Sequence, residues 1–147
     1  MHAPEPISVV TYNLHKGMSS GNRRSVLREI REALHQVHPD IVFLQEVVGA
    51  HSDARFHALE HTRSSQFEYL ADSLWQHYAY GRNAVYDQGH HGNAILSRYP
   101  IDKWQNFDLS QTRYERRGLL HAEIRLPSAS TTVHVGCLHL NLMQYHR

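Results

Sequence analysis

The sequence predicts an α/β fold around a mixed β-sheet, parallel at its start and antiparallel in the remainder. Three observations predict it. The runs "ISVVTYN" (7–13) and "IVFLQEV" (41–47) are apolar almost throughout, the pattern of strands covered on both faces. Between them, "RRSVLREIREALHQVH" (23–38) spaces Val26, Leu27, Ile30, Ala33, Leu34 and Val37 along one helical face. From residue 78 onward, strand-like runs follow one another, separated by turn signals.

The opening run is rich in β-branched residues, whose stiff side chains suit a pleated surface. "HKGMSSGN" (15–22) reads as a loop with two glycines. Ser20 or Asn22 is available to cap the helix that follows, and Pro39 and Asp40 stop it. Strand, helix, strand at this spacing is a βαβ unit, so its crossover is right-handed and its strands are parallel. Residues 49–64 are polar and loop-like. "SQFEYLADSLWQH" (65–77) sets Phe67, Leu70, Ala71, Leu74 and Trp75 on one face of a second helix. "YAYGRNAVY", "GNAILSRYPI", "RGLLHAEIRL" and "TTVHVGCLHLNL" then read as strands, with turns at "DQGHHG" and "PSAS" and Pro100 at a strand end.

The 147 residues make one domain's worth of chain, long enough to bury a core. A net charge of +1 lacks the basic excess of a non-specific nucleic-acid clamp. The single cysteine, Cys137, falls within a strand run, which implies no disulfide and fits a reducing compartment. With no secretory leader pattern and no apolar run of membrane-spanning length, the expected location is cytoplasmic. Histidine is the compositional outlier, with 14 copies.

Asn13 ends the first strand run and Glu46 the second. In a parallel pair both arrive at the carboxyl edge of the sheet, where α/β proteins bind ligands. A carboxylate with an amide oxygen suits a hard cation such as Mg²⁺. Arg116 and Arg117 precede a strand, and a guanidinium matches two phosphate oxygens at once; the alternative is a solvated charged loop. Asn93, beside "HHG", reads as a turn residue that helps shape a pocket. His15 and Lys16 read as an exposed loop pair within reach of an anion.

Taken in order, "TYNLHKG", "PDIVFLQEV", "GNAILSRYPI", "ERRGLLHAEI" and "HVGCLHLNL" resemble the endonuclease/exonuclease/phosphatase family of DNase I-like and exonuclease III-like enzymes. The resemblance covers residues 7–142. It implies a four-layer α/β sandwich of two packed sheets with helices outside, of which residues 7–147 supply about half. It also implies a Mg²⁺-dependent phosphoesterase, with Mn²⁺ as the alternative ion. The implied substrates are nucleic acid, a phospholipid head group or a small phosphate ester. Carried onto this chain, Glu46 is the principal metal ligand, and Asn13 supports the metal site and catalysis. His139 stands beside the scissile phosphate, with Arg116, Arg117, Asn93 and Asn141 as candidate phosphate contacts.

The family pattern continues with an Asp-x-Asn, typically within "GDFN", and a terminal Ser-Asp-His. Neither occurs here: no aspartate is followed two positions later by asparagine, and no Asp-His pair exists. The expectation is a domain truncated before its C-terminal half, whose isolated chain is inactive and whose exposed inner sheet face is sticky or self-associating. A phosphate-binding module without turnover is the alternative reading. A further one is a zinc hydrolase, because "HALEH" (57–61) formally matches H-x-x-E-H. The adjacent pair His90 and His91 has poor chelating geometry for a metal at a surface turn.

Overall fold

The computed structural model describes residues 6–58, 65–127 and 131–140. Strand β1 (Val9–Asn13) leads through two short 3₁₀ turns into helix α1 (Leu27–Val37) and strand β2 (Ile41–His51). Helix α2 (Gln66–Ala71) precedes five strands: β3 (His77–Tyr86), β4 (Gly89–Ser97), β5 (Ile101–Asp108), β6 (Gly118–Leu126) and β7 (Thr131–Leu138). The expected βαβ unit is present, with β1 and β2 paired in parallel from Val9 opposite Ile41 to Asn13 opposite Gln45.

The strands divide into two sheets. The first is mixed, in the order β1-β2-β4-β3; the second is antiparallel, in the order β5-β6-β7. Both helices cover the outer face of the first sheet. There Leu27, Ile30, Leu34, Leu70 and Trp75 pack on Val42, Leu44, Val47, Ala94 and Leu96. A fully buried leucine or valine of this set, such as Leu44 or Val42, stabilises the fold by about 1.5–3 kcal/mol. A second core fills the space between the sheets, with Ile41, Ala79 and Ile95 against Leu120, Ala122, Ile124 and Cys137. The layers described are therefore helix, sheet, sheet.

Several local expectations are corrected. The first helix starts at Leu27, later than the apolar spacing suggests. Ser20 belongs to a separate turn, and Val26 stands at the cap position with no side-chain cap bond. The second helix stops at Ala71, because Asp72 adopts φ 35°. Its start is a capping box: Ser65 accepts from the Glu68 backbone while the Glu68 carboxylate accepts from Ser65. Trp75 still reaches the core, and its Nε1 donates to the Pro39 carbonyl at 2.9 Å. The expected loop at 49–64 begins late, since β2 runs on to His51. The inner sheet face expected to be exposed is covered by the second sheet. Exposed apolar side chains lie elsewhere, among them Val9 and Tyr12 on edge strand β1, Leu138 on edge strand β7, Val37 on α1 and Tyr114 in a loop. Among the described residues, no helix is long and apolar enough to cross a membrane.

Candidate active site

Glu46 does not end its strand; it sits inside β2 at a bulge. Leu44 pairs with Ala94 and Val47 with Gly92, so Gln45 and Glu46 together oppose Asn93. The Glu46 backbone has φ 53°, a left-handed conformation that side chains with a Cβ rarely adopt. Strict alternation would send Glu46 to the helix face, beside Val42 and Leu44. The extra residue gives that place to Val47 and frees the carboxylate for the space at the end of the sandwich.

Three side chains meet this carboxylate. Asn13 Nδ2 donates to Glu46 Oε1 at 3.2 Å. The Asn13 amide is held in that sense because its Oδ1 accepts the His15 backbone N–H at 2.9 Å. His139 follows β7 directly; its Nε2 lies 3.6 Å from Glu46 Oε1 and 3.5 Å from Asn13 Nδ2. His15 Nδ1 lies 3.6 Å from Glu46 Oε2. His15 and Lys16 both have positive φ, which folds the chain back over the end of β1. The carboxylate thus lies between two imidazoles, one beside each sheet.

A cavity of about 170 Å³ opens here, lined by Lys16, Glu46, Asn83, His91, Asn93, Arg116, Arg117 and His139. Three fixed cations face one carboxylate, so the cavity suits an anion. His91 adds no charge at neutral pH: burial, and after it the Lys16 charge, push its ring down to about 4. Asn93 forms the floor. It is 1% exposed, and its Nδ2 donates to the carbonyls of Gly118 (3.0 Å) and Cys137 (3.2 Å). One asparagine of β4 therefore ties the first sheet to β6 and β7. Its Oδ1 and the Nε of Arg117 are buried with no hydrogen-bond partner among the described residues. Asn83 is held by Asn106, whose Nδ2 donates to its Oδ1 at 3.1 Å. A side chain at Gly118 would collide with that group, since its Cβ would stand 2.1 Å from Asn83 Oδ1.

The structure brings together Asn13, Glu46, His139, Arg116, Arg117 and Asn93, the candidates read from sequence. Asn141 lies outside the described residues, as do Glu60 and His61 of "HALEH". His57 of that motif is part-buried, with Nε2 2.7 Å from the His51 carbonyl. Asn93 is a buried strand residue rather than a turn residue. His90 and His91 are neither a turn nor a chelating pair. Successive strand residues face opposite sides: His90 Nδ1 meets the Tyr80 hydroxyl at 3.0 Å, while His91 lines the anion cavity. Among the described residues, no group of three or more His, Cys, Asp or Glu side chains is arranged to hold a metal. Sequence reasoning missed Asn83 and His91 and undervalued His15 and Lys16, because the register of β3 on β4 and the left-handed turn carry no local signal.

The sequence model of the Endonuclease/Exonuclease/phosphatase family matches residues 10–143. The chain is 49% identical over 139 residues to the uncharacterized protein YbhP of Escherichia coli K12, covering 95% of this chain and 55% of that protein. The chain thus spans about half the length of the curated relatives it matches. Among solved structures, an endonuclease/exonuclease/phosphatase from Beutenbergia cavernae superposes with TM-score 0.72 at 23% identity, covering 91% of this chain and 38% of that one. TDP2 of D. rerio, complexed with a single-strand DNA product, superposes with TM-score 0.61 at 19% identity, covering 95% and 48%.

Proposed function

This chain belongs to the endonuclease/exonuclease/phosphatase family, and from that premise we propose that its site takes a phosphoester and contributes to Mg²⁺-dependent hydrolysis of it. One observation carries the reading. Glu46, strained at a bulge and held by Asn13, stands beside a cavity in which Lys16, Arg116 and Arg117 outnumber it.

The donor set fits the ion. Mg²⁺ prefers hard oxygen and is usually held by one or two carboxylates, with water and substrate phosphate completing its shell. Glu46 offers one such carboxylate, and Mn²⁺ is the alternative occupant. Bound there, the ion would neutralise charge on a non-bridging phosphate oxygen. This chain's own residues do the rest. Asn13 fixes the Glu46 carboxylate, presenting its nitrogen to it while its oxygen stays on the His15 backbone. His139 stands where it can hydrogen-bond a phosphate oxygen beside Glu46. Arg116, Arg117 and Lys16 offset the substrate's negative charge, the arginines by paired contacts.

We assign the groups that the family places on Asp-x-Asn and Ser-Asp-His to a further half, absent from these 147 residues. Catalytic groups that act as a unit lose most of the rate when several are removed. The isolated chain therefore binds phosphate and Mg²⁺ weakly and turns substrate over close to background. The test is hydrolysis of bis(p-nitrophenyl) phosphate with and without Mg²⁺, alongside calorimetric Mg²⁺ titration of wild type and Glu46→Gln. Expected are a near-background rate and weak Mg²⁺ binding that the substitution abolishes. Brisk Mg²⁺-dependent turnover would overturn the half-site reading, and Mg²⁺ binding unchanged by Glu46→Gln would overturn the metal assignment.

A further inference from the structure

Among the walls of the cationic cavity, His91 is neither a fixed cation nor a carboxylate. Strand β4 turns its ring into the site. His91 and Asn93 stand two residues apart and share a face, and Asn93 is the cavity floor. The charges of Lys16, Glu46, Arg117 and His139 all act on the His91 ring, which places it among the groups that would surround a bound anion.

The ring is held from its other side. Ala84 of β3 stands opposite His91, and Tyr86 lies two residues further along, on the same face. Tyr86 is itself paired with Gly89, whose missing side chain lets the phenol lean along the sheet toward His91. The ring centroids lie 5.7 Å apart, and the Tyr86 hydroxyl is 3.3 Å from His91 Nδ1. Among the described residues, no other hydrogen bond to this imidazole is found, which leaves Nε2 for a ligand.

A neutral imidazole carries one N–H and one bare nitrogen. If the hydroxyl accepted from Nδ1–H, a bare Nε2 would turn its lone pair toward a cavity that gathers anions. With the hydroxyl donating, the proton sits on Nε2 and the ring offers that cavity a donor. The ring stays in this one-proton form at neutral pH, because burial, and after it the Lys16 charge, hold it at about 4. A group so weakly basic is poorly matched to taking a proton from water near neutral pH, so donation is the use left to it.

We propose that His91 binds a phosphoryl oxygen of the substrate through its Nε2–H, and that the Tyr86 hydroxyl is the positioning group that fixes the ring's tautomer and direction. The site then combines two kinds of contact. Lys16, Arg116 and Arg117 attract the anion over a distance, while an uncharged donor acts only on an oxygen placed along its axis. The inference rests on the phosphoester reading above, and its test separates the two.

Inorganic phosphate is titrated into the 147-residue chain, ¹⁵N-labelled at histidine, and followed by NMR at neutral pH. Dissociation constants are compared for wild type, His91→Leu, His91→Gln, Tyr86→Phe, the double variant His91→Leu with Tyr86→Phe, and Arg117→Ala. A hydrogen bond to a charged group sets the scale, so His91→Leu weakens phosphate about 10- to 150-fold. His91→Gln, whose amide N–H₂ reaches a similar place, recovers most of that loss. Tyr86→Phe keeps the ring but removes the hydroxyl, and weakens binding about 2- to 10-fold, the range of one neutral hydrogen bond. It has no further effect once residue 91 is leucine, which a merely structural role for Tyr86 would not give. In the phosphate-bound wild type, the ring spectrum of His91 shows a protonated Nε2 and a bare Nδ1.

Phosphate affinity unchanged by His91→Leu, while Arg117→Ala still weakens it, overturns the role of His91 and leaves the phosphate cavity standing. So does a bare Nε2 in the bound state. Equal losses from Tyr86→Phe with and without the imidazole overturn the positioning role of Tyr86. Phosphate that fails to bind, or that binds regardless of Arg117→Ala, overturns the phosphoester reading itself and this inference with it. Circular dichroism of each variant identifies any loss due to unfolding. Should His91→Leu be unfolded, the ring spectrum of the wild type decides on its own.

Discussion

Asn93 offers the sharpest structural prediction, because its orientation is dictated by its partners. Its Nδ2 donates to two buried carbonyls, Gly118 at 3.0 Å and Cys137 at 3.2 Å, so the amide cannot be flipped without setting oxygen against oxygen. Asn93→Leu keeps the branch at Cγ, though it is bulkier, and leaves both carbonyls without donors. A buried polar group stripped of its partner costs about 1–3 kcal/mol, and the added apolar burial recovers part of that. The net loss is about 2–4 kcal/mol, or roughly 4–16 °C in Tm for a chain of this size. Asn93→Asp has the same shape but places a carboxylate against those carbonyls, and is worse than leucine at pH 7. Its carboxyl would be raised above the usual range, so its folded form is favoured below the unfolded pKa and penalised as pH rises. The protonated acid can donate to one carbonyl, so the gap between the aspartate and leucine variants narrows below about pH 4. Urea unfolding of the three proteins at pH 7 and pH 4 measures this. A loss under 1 kcal/mol in the leucine variant would refute the two-carbonyl clamp. An aspartate variant as stable as wild type at pH 7 would refute the assigned orientation.

Three further outcomes are expected. Asp40 is buried, which raises its carboxyl, but hydrogen bonds from the Ser8 backbone and hydroxyl and from Tyr99, with the Arg98 charge, outweigh this and leave it lowered. A lowered folded value contributes stability that is fully present above the unfolded pKa of about 3.9 and is lost as pH falls from there through the folded value. Asp40→Asn is therefore less stable at neutral pH, and the deficit shrinks below about pH 4 in acid-unfolding curves; a constant deficit would contradict the sign. Burial raises the Cys137 thiol to about 11, so iodoacetamide at pH 8 leaves it unmodified in the native chain and modifies it in urea, as mass spectrometry would show. Gly92→Ala places a Cβ 1.8 Å from the Gly81 carbonyl oxygen, so this hairpin must shift; the variant should lose several degrees in Tm and weaken phosphate binding, and wild-type behaviour in both would argue against the β3–β4 register.

What the sequence revealed follows from what is local. The βαβ start was legible because strand and helix differ in period, and α1 loses only its first turn, at Arg23–Val26, to a loop bond between the Ser19 and Arg24 backbones. Glu46 was legible as a candidate acid. Its bulge was not, because Gln45-Glu46-Val47 reads like any strand segment until β4 is laid beside it. Strand β5 escaped notice, since "IDKWQNFD" is an edge strand whose side chains are mostly exposed and whose alternation is weak. The division into two sheets could not be read from residue spacing alone, because strand pairing is non-local; the family resemblance supplied it. Asn93 looked like a turn residue beside two histidines and a glycine, yet all four lie in β4: each is paired with β3, and the histidines and the glycine with β2 as well, while Asn93 faces the β2 bulge.

The central claim is that Glu46, His139 and the cations around Asn93 form one phosphate-binding site. Inorganic phosphate titrated into ¹⁵N-labelled chain, in the presence of Mg²⁺ and followed residue by residue in NMR spectra, tests it most directly. The account predicts saturable shifts at Lys16, Glu46, Asn93, Arg117 and His139, abolished together by Arg117→Ala. Saturable shifts confined to another surface, or shifts at these residues that survive Arg117→Ala, would contradict it.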